Sequence, residues 1–335
     1  MTQPLLSVEG LKKYYPVRTG LGRPARLRAV DGVSFAIERG ETLSLVGESG
    51  CGKSTVGRAV LGLLPVTAGQ VSLDGGRIDN LGPAAFRPVR KRLQVVFQDP
   101  FSSLNPRLKV REIVAEPIRN FWPDLRREDI DRRVAEVLDK VRLPRGSAER
   151  WPHEFSGGQR QRIGIARALS AEPDLIVCDE AVSALDVSVK AQIVNLLQDL
   201  QEELGLALLF ISHDLAIVEH MAHRVAVMYL GKIVELAPRS ALFAAPRHPY
   251  TKALLSAAPL VGPRAAGGQR IILSGDVPSP INPPKGCSFH TRCPLAVGRC
   301  RIDEPALRPV GPGHVSACHL DDDSDAATGG RPRLS

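Results

Sequence analysis

From Val33 to Ile37 the apolar residues Val33, Phe35 and Ile37 alternate with Ser34 and Ala36, and Gly40 closes the run. Period-two alternation predicts a half-buried antiparallel strand, so the chain opens on β structure. Thr42-Leu43-Ser44-Leu45-Val46 reads as a second strand. A glycine-rich turn follows, then a helix from about Lys53 with Val56, Val60, Leu63 and Leu64 on its apolar side. From about Asp99 to Arg150 the pattern turns polar and helical. Ile113, Ile118, Ile130, Val134 and Val137 mark buried stripes there, which predicts an inserted helical subdomain. The continuous apolar runs Leu175 to Cys178 and Ala207 to Ile211 have the character of parallel strands covered on both faces. Between them Ile193, Leu196, Leu197, Leu200 and Leu204 trace one helix face that Gly205 terminates, giving a β-α-β crossover. Arg224 to Leu230, Gly231 and Lys232 to Leu236 predict a closing hairpin. Pro263 to Pro284 is rich in proline and glycine, and the acidic end from Asp321 is expected to be disordered.

At 335 residues and 43% hydrophobic content, the chain can bury one sizeable α/β core and carry smaller attachments. No apolar run approaches the ~20 residues of a membrane span. Met1 to Tyr15 lacks the features of a signal peptide, so a cytoplasmic protein is expected. The formal charge of +8 admits nucleic acid, anionic lipid or phosphate ligands. The basic residues are dispersed, and an aromatic content of 4% disfavours a base-stacking platform.

Gly47-Glu48-Ser49-Gly50-Cys51-Gly52-Lys53-Ser54-Thr55 has the GxxxxGK[ST] spacing between a predicted strand and a predicted helix. Its glycines let N–H groups curl around phosphate oxygens, the helix start adds partial positive charge, and Lys53 supplies a full one. Ser54 is a candidate Mg²⁺ ligand. Asp179 and Glu180 end one apolar strand and His213 ends the next. Alone, the acidic pair would be a helix cap and the histidine structural. Convergence with the phosphate loop at one sheet edge favours metal holding, water positioning and phosphate contact instead.

Phe155-Ser156-Gly157-Gly158-Gln159-Arg160-Gln161-Arg162 resembles the signature of ABC ATPases. Gln98 resembles the family's Q-loop glutamine, Ser183-Ala184-Leu185-Asp186 its D-loop and His213 its switch histidine. Tyr15 is similar to the aromatic that stacks on adenine, with Tyr14 the neighbouring alternative and simple packing another reading. Phe97 to Arg107, Arg247-His248-Pro249-Tyr250-Thr251 and Gly286-Cys287 to Cys293 resemble the oligopeptide/dipeptide importer ATPases, in particular the second of two paired subunits. The likeness runs from about Leu6 to Cys318. It departs at Phe155, where leucine is usual, and at Ala181-Val182, where Pro-Thr is commoner. Neither removes a catalytic group.

The resemblance implies an α/β fold with a P-loop NTPase (RecA-like) core over 1–98 and 165–245 and an opening antiparallel β subdomain. It implies a helical subdomain over 99–164, a C-terminal cysteine-containing module over 246–320 and a disordered tail over 321–335. It assigns catalysis to Glu180, His213, Gln98 and Lys53, and Mg²⁺ to Ser54, Gln98 and Asp179. ATP binding falls to Tyr15 and residues 47–55. Ser156, Gly157, Gly158 and Gln159 act on the ATP of another subunit, with Asp186 in the D-loop. The implied partners are a second homologous ATPase subunit in a heterodimer, two transmembrane permeases and, indirectly, an extracytoplasmic solute-binding protein. A soluble ABC ATPase on nucleic acid or ribosomes is the alternative, disfavoured by the single compact cassette, and an inactive regulatory cassette is disfavoured by Lys53, Glu180 and His213.

Cys287, Cys293, Cys300 and Cys318 are separated by five, six and seventeen residues, which fits neither a standard zinc finger nor a common ferredoxin run. A structural metal would supply folding energy to a module without a large apolar core. The resemblance adds that some members hold a 4Fe-4S cluster at corresponding cysteines; zinc and free thiols stay open. Any such metal is expected to be structural, apart from the ATP chemistry, and His314 and His319 are expected at the surface.

Overall fold

The computed structural model describes residues 3–19, 23–258 and 271–321. Among them, two sheets carry the fold. The first contains β1 (Leu6–Thr19), β2 (Arg23–Ile37), β4 (Ala68–Leu73) and β5 (Gly76–Arg77), ordered β2-β1-β4-β5 with antiparallel pairing throughout. The second runs β11-β12-β10-β9-β3-β8-β7-β6, formed by β3 (Thr42–Val46), β6 (Leu93–Val96), β7 (Leu175–Asp179), β8 (Ala207–Ile211), β9 (Arg224–Tyr229), β10 (Lys232–Pro238), β11 (Arg308–Gly311) and β12 (His314–Ser316).

β9, β3, β8, β7 and β6 are mutually parallel, so their carboxyl ends share one edge. Side chains of these strands alternate between two apolar clusters: Leu175, Val177, Leu209 and Ile211 pack toward the antiparallel sheet. Ile176, Cys178, Leu208 and Phe210 face the helices on the other side. Burial on both faces is why these segments read as unbroken apolar runs.

The predicted elements at residues 33–37, 42–46, 175–178, 207–211 and 224–236 are all present. Helix Lys53–Val60 stops earlier than its apolar pattern suggested. Gly62 takes a left-handed φ of +64°, and Leu63, beyond the helix, is 54% exposed. Gly205, at φ 63°, ends helix Val187–Leu204 as expected, but Leu204 is 38% exposed and only the other four positions of its stripe are buried. In the inserted helices Val110–Phe121 and Arg127–Lys140, Ile113, Ile118, Ile130 and Val134 are buried and Val137 is half-buried.

The C-terminal module is joined to the core rather than appended. β12 pairs antiparallel with β10, and Tyr250, Cys287, Phe289 and Cys300 belong to the helix-side apolar cluster. His314 and His319, expected at the surface, are both buried. His314 Nε2 meets Glu235 Oε1 at 2.7 Å and His319 Nε2 lies 2.9 Å from the Asp303 carbonyl. The first part of the proline- and glycine-rich stretch, to residue 270, and the tail from 322 lie outside the described residues. No helix among the described residues is long and apolar enough to cross a membrane.

Candidate nucleotide site

The turn after β3 is held by steric necessity. A Cβ on Gly47 (φ +147°) would sit 2.2 Å from the Met228 carbonyl oxygen, and one on Gly52 (φ +108°) 2.1 Å from that of Ala29. Only glycine fits such a close backbone approach at positive φ. Gly50, at φ +80°, would meet nothing within 4 Å, so the loop opens to solvent there. Lys53 is 4% exposed and its ammonium donates to the carbonyls of Gly47 (2.8 Å) and Glu48 (3.0 Å). The lysine is thus folded onto its own loop. Burial pushes the Cys51 thiol up from its ordinary pKa, with Lys53 opposing.

Ser54 Oγ donates to Asp179 Oδ1 at 2.7 Å. A hydroxyl from the first turn of helix Lys53–Val60 joined to the carboxylate that ends β7 makes the oxygen donor set that a hard cation takes. Burial raises the Asp179 carboxyl above the usual carboxylate range, with the Ser54 hydrogen bond opposing. Glu180 has φ +51°, uncommon for a residue with a Cβ, and its N–H donates to the Ile211 carbonyl at 3.0 Å. Its Oε1 lies 3.5 Å from His213 Nδ1 on the neighbouring strand end. Gln98, exposed, follows β6 two residues after the Val96–Cys178 pair, on the same edge. The structure therefore brings Lys53, Ser54, Asp179, Glu180, His213 and Gln98 to one side of the sheet, as convergence required.

Tyr14 and Tyr15 are separated by their partners. Tyr14 donates its hydroxyl to Asp31, and burial with that bond raises its pKa to about 12. The Tyr15 ring has the Lys13 ammonium 4.9 Å from its centroid.

Ser156 caps helix Gly157–Leu169: its Oγ accepts from the Gln159 N–H (3.4 Å) while Gln159 Oε1 accepts from the Ser156 N–H (3.1 Å). The reciprocal box satisfies two N–H groups at the helix start, those of Ser156 and Gln159. Ser156 and Gln159 are exposed, Gly157 is half-exposed, and a Cβ on Gly158 would strike Val189 Cγ1 at 2.3 Å. Asp186, also exposed, starts helix Val187–Leu204 beside Val187, which is 84% exposed.

Cys287, Cys293, Cys300 and Cys318 are free thiols gathered in one module. The Cys287 N–H donates to the Cys300 carbonyl at 2.9 Å, and burial raises the thiols of Cys287, Cys293 and Cys318, the last to about 11. Among the described residues no three His, Cys, Asp or Glu side chains sit close enough to hold a single metal ion.

Sequence reasoning missed how the module meets the phosphate loop. Arg292 donates to Glu48 Oε2 at 2.7 Å and Oε1 at 3.1 Å, and the Tyr250 hydroxyl accepts from the Glu48 N–H at 2.9 Å. The expected separation of cysteine module and ATP site is not what the structure has.

A phosphate loop facing strand-end carboxylates, together with a serine-capped helix start exposed to solvent at Ser156, puts this chain among the ABC-type ATPases. The family model described as ABC transporter matches residues 30–183, and that of the oligopeptide/dipeptide transporter C-terminal region matches residues 234–300. A probable peptide ABC transporter ATP-binding protein of Sinorhizobium fredii is 55% identical over 322 residues, covering 96% of this chain and 91% of that one. The oligopeptide transport ATP-binding protein AppF of Bacillus subtilis is 52% identical over 322 residues, covering 95% and 98%. Among solved structures, cbiO1 of Clostridium perfringens matches with a TM-score of 0.64 at 28% identity, over 73% of this chain and 92% of that one. The cassette MJ0796, a dimer in a post-hydrolysis state bound to ADP and Pi, matches with a TM-score of 0.62 at 28% identity, over 70% and 98%. The chain belongs to the ATP-binding proteins of ABC transporters, in the oligopeptide/dipeptide group.

Proposed function

We propose that this ATPase drives import of oligopeptides or dipeptides, working from the cytoplasmic face of the membrane. The observation that carries the reading is the helix start at Ser156, where an exposed serine at the positive end of the helix dipole suits a phosphate brought by another subunit. A second, homologous ATPase subunit is the proposed partner, with two permeases as the driven element and a solute-binding protein delivering cargo. The matched C-terminal region and the peptide-transport names of the relatives support the cargo class.

Within the site, residues 47–55 cradle the triphosphate and Lys53 turns from its loop carbonyls to the outer phosphates. Tyr15 rather than Tyr14 stacks on adenine, because the Tyr14 hydroxyl is committed to Asp31. Ser54, Asp179 and Gln98 would hold Mg²⁺, which neutralises phosphate charge when bound. Glu180 positions and deprotonates the attacking water, and His213, exposed beside it, contacts the γ-phosphate. Ser156, Gly157, Gly158 and Gln159, with Asp186, complete the partner's site.

For the cysteines a 4Fe-4S cluster is the favoured occupant. The likeness to importer ATPases supports that choice, and the four thiols are unpaired within one module. It would supply structural cross-linking, with Cys287, Cys293, Cys300 and Cys318 as ligands.

The test is turnover of the purified subunit alone and with its partner ATPase and permeases in liposomes. The isolated subunit should be slow and the assembly much faster. A full rate in a dilute, demonstrably monomeric sample would contradict the reading.

A further inference from the structure

We propose that Arg292 of the cysteine module is a positioning residue for the phosphate loop, acting through Glu48; this rests on the nucleotide-site reading above. Glu48 is the second residue of the loop and is held at three points. Its carbonyl accepts from Lys53, its N–H donates to the Tyr250 hydroxyl, and its carboxylate takes both arms of the Arg292 guanidinium. Two of those three points come from beyond residue 245, more than 200 positions along the chain.

The contact is built. The Arg292 side chain is 8% exposed, against 27% for Glu48, and its Nε is buried without a hydrogen-bond partner. Burying a guanidinium with one donor unpaired is costly, so the bidentate pair must offset that cost. An aromatic floor fixes the approach. The Tyr229 ring lies 4.7 Å from Tyr250 and 5.2 Å from Phe289, and the guanidinium sits 6.0 Å from the Tyr229 centroid. The Arg292 N–H donates to the Phe289 carbonyl at 3.0 Å, and Cys293 follows directly in the chain. Gly286, at φ +69°, lets the backbone pass so near the Cys300 carbonyl that a Cβ would be 2.5 Å away. The fold of the module therefore sets where Arg292 points.

Chemistry gives the contact a task. Glu48 places a carboxylate in a loop that receives a polyanion, and repulsion would weaken nucleotide binding unless that charge is neutralised. Arg292 neutralises it and fixes the loop's shape together. Because the loop binds phosphate in both ground and transition states, losing Arg292 should raise KM for ATP with kcat little changed.

Equilibrium binding of a fluorescent ATP analogue with Mg²⁺, on the full chain, tests this. Arg292→Gln should weaken binding about tenfold, the scale of one charged hydrogen-bonded pair. In a Glu48→Gln background the same change should cost less than about twofold, because the partner is already gone. A merely structural arginine would lower the melting temperature without that coupling. If Arg292→Gln does not fold, amide exchange of the parent decides. By linkage, nucleotide must slow exchange over residues 286–301. Parental affinity in Arg292→Gln, additive costs, or exchange indifferent to nucleotide would each overturn the proposal. Absence of nucleotide binding by the parent would instead sink the nucleotide-site reading.

Discussion

Replacing Glu235 by alanine should destabilise the protein by about 3 kcal/mol, and the figure follows from what its carboxylate holds. Glu235 is fully buried in β10, where it accepts from the N–H groups of Arg247 (2.8 Å) and His248 (2.9 Å) and pairs with His314 Nε2 (2.7 Å). It fastens β10, the start of helix Pro249–Ala257 and β12 at one point. Truncation leaves the buried His248 N–H and His314 ring without a partner, while Arg247, at the surface, recovers water. Two orphaned buried groups cost about 1–3 kcal/mol each. Relief from burying a carboxylate returns part of that. Glu235→Gln keeps one carbonyl oxygen and the volume, so it should cost about half as much. Urea unfolding followed by far-ultraviolet circular dichroism reads both variants. A loss below about 1 kcal/mol for alanine, or a glutamine variant as damaged as the alanine one, would refute the reasoning.

Other outcomes follow from the same geometry. Burial lowers the His248 pKa from 6.5 to about 3 while Lys252 adds repulsion, so the unfolded chain binds the extra proton. Stability from His248 is complete above pH 6.5 and falls as pH drops toward 3. That amounts to about 2 kcal/mol lost by pH 5, which His248→Asn should remove from the urea profile. Tyr15→Ala should weaken ATP-analogue binding severalfold and Tyr14→Ala should lower stability with little effect on affinity; the reverse pattern would exchange their roles. Protein purified without oxygen should be brown with broad absorption at roughly 400 nm and contain iron. Colourless, iron-free material would leave the four cysteines as thiols.

The phosphate loop was legible because its chemistry is local: glycines, lysine and serine at fixed spacing between a strand and a helix. The parallel strands were legible because burial on both faces leaves unbroken apolar runs such as Ala207–Ile211. β1 was not read, since register shifts between Val8 and Leu11 and between Lys13 and Tyr14 break its alternation. The burial of His314 and His319 depends on acceptors 79 and 16 positions away, and the Arg292–Glu48 pair spans 244. Nothing in local spacing encodes such partners. Gln98 was legible through its likeness to a family motif and His213 through that likeness and its place after an apolar run, whereas the exposure of Ser156 became visible only once its helix was packed.

Glu180→Gln tests the central claim most directly, with MgATP binding and phosphate release measured on the same assembled transporter. Binding should stay near the parent value while turnover falls by about 10² to 10⁴, the contribution of a general base. Near-normal phosphate release from a folded, nucleotide-bound Glu180→Gln assembly would contradict the account.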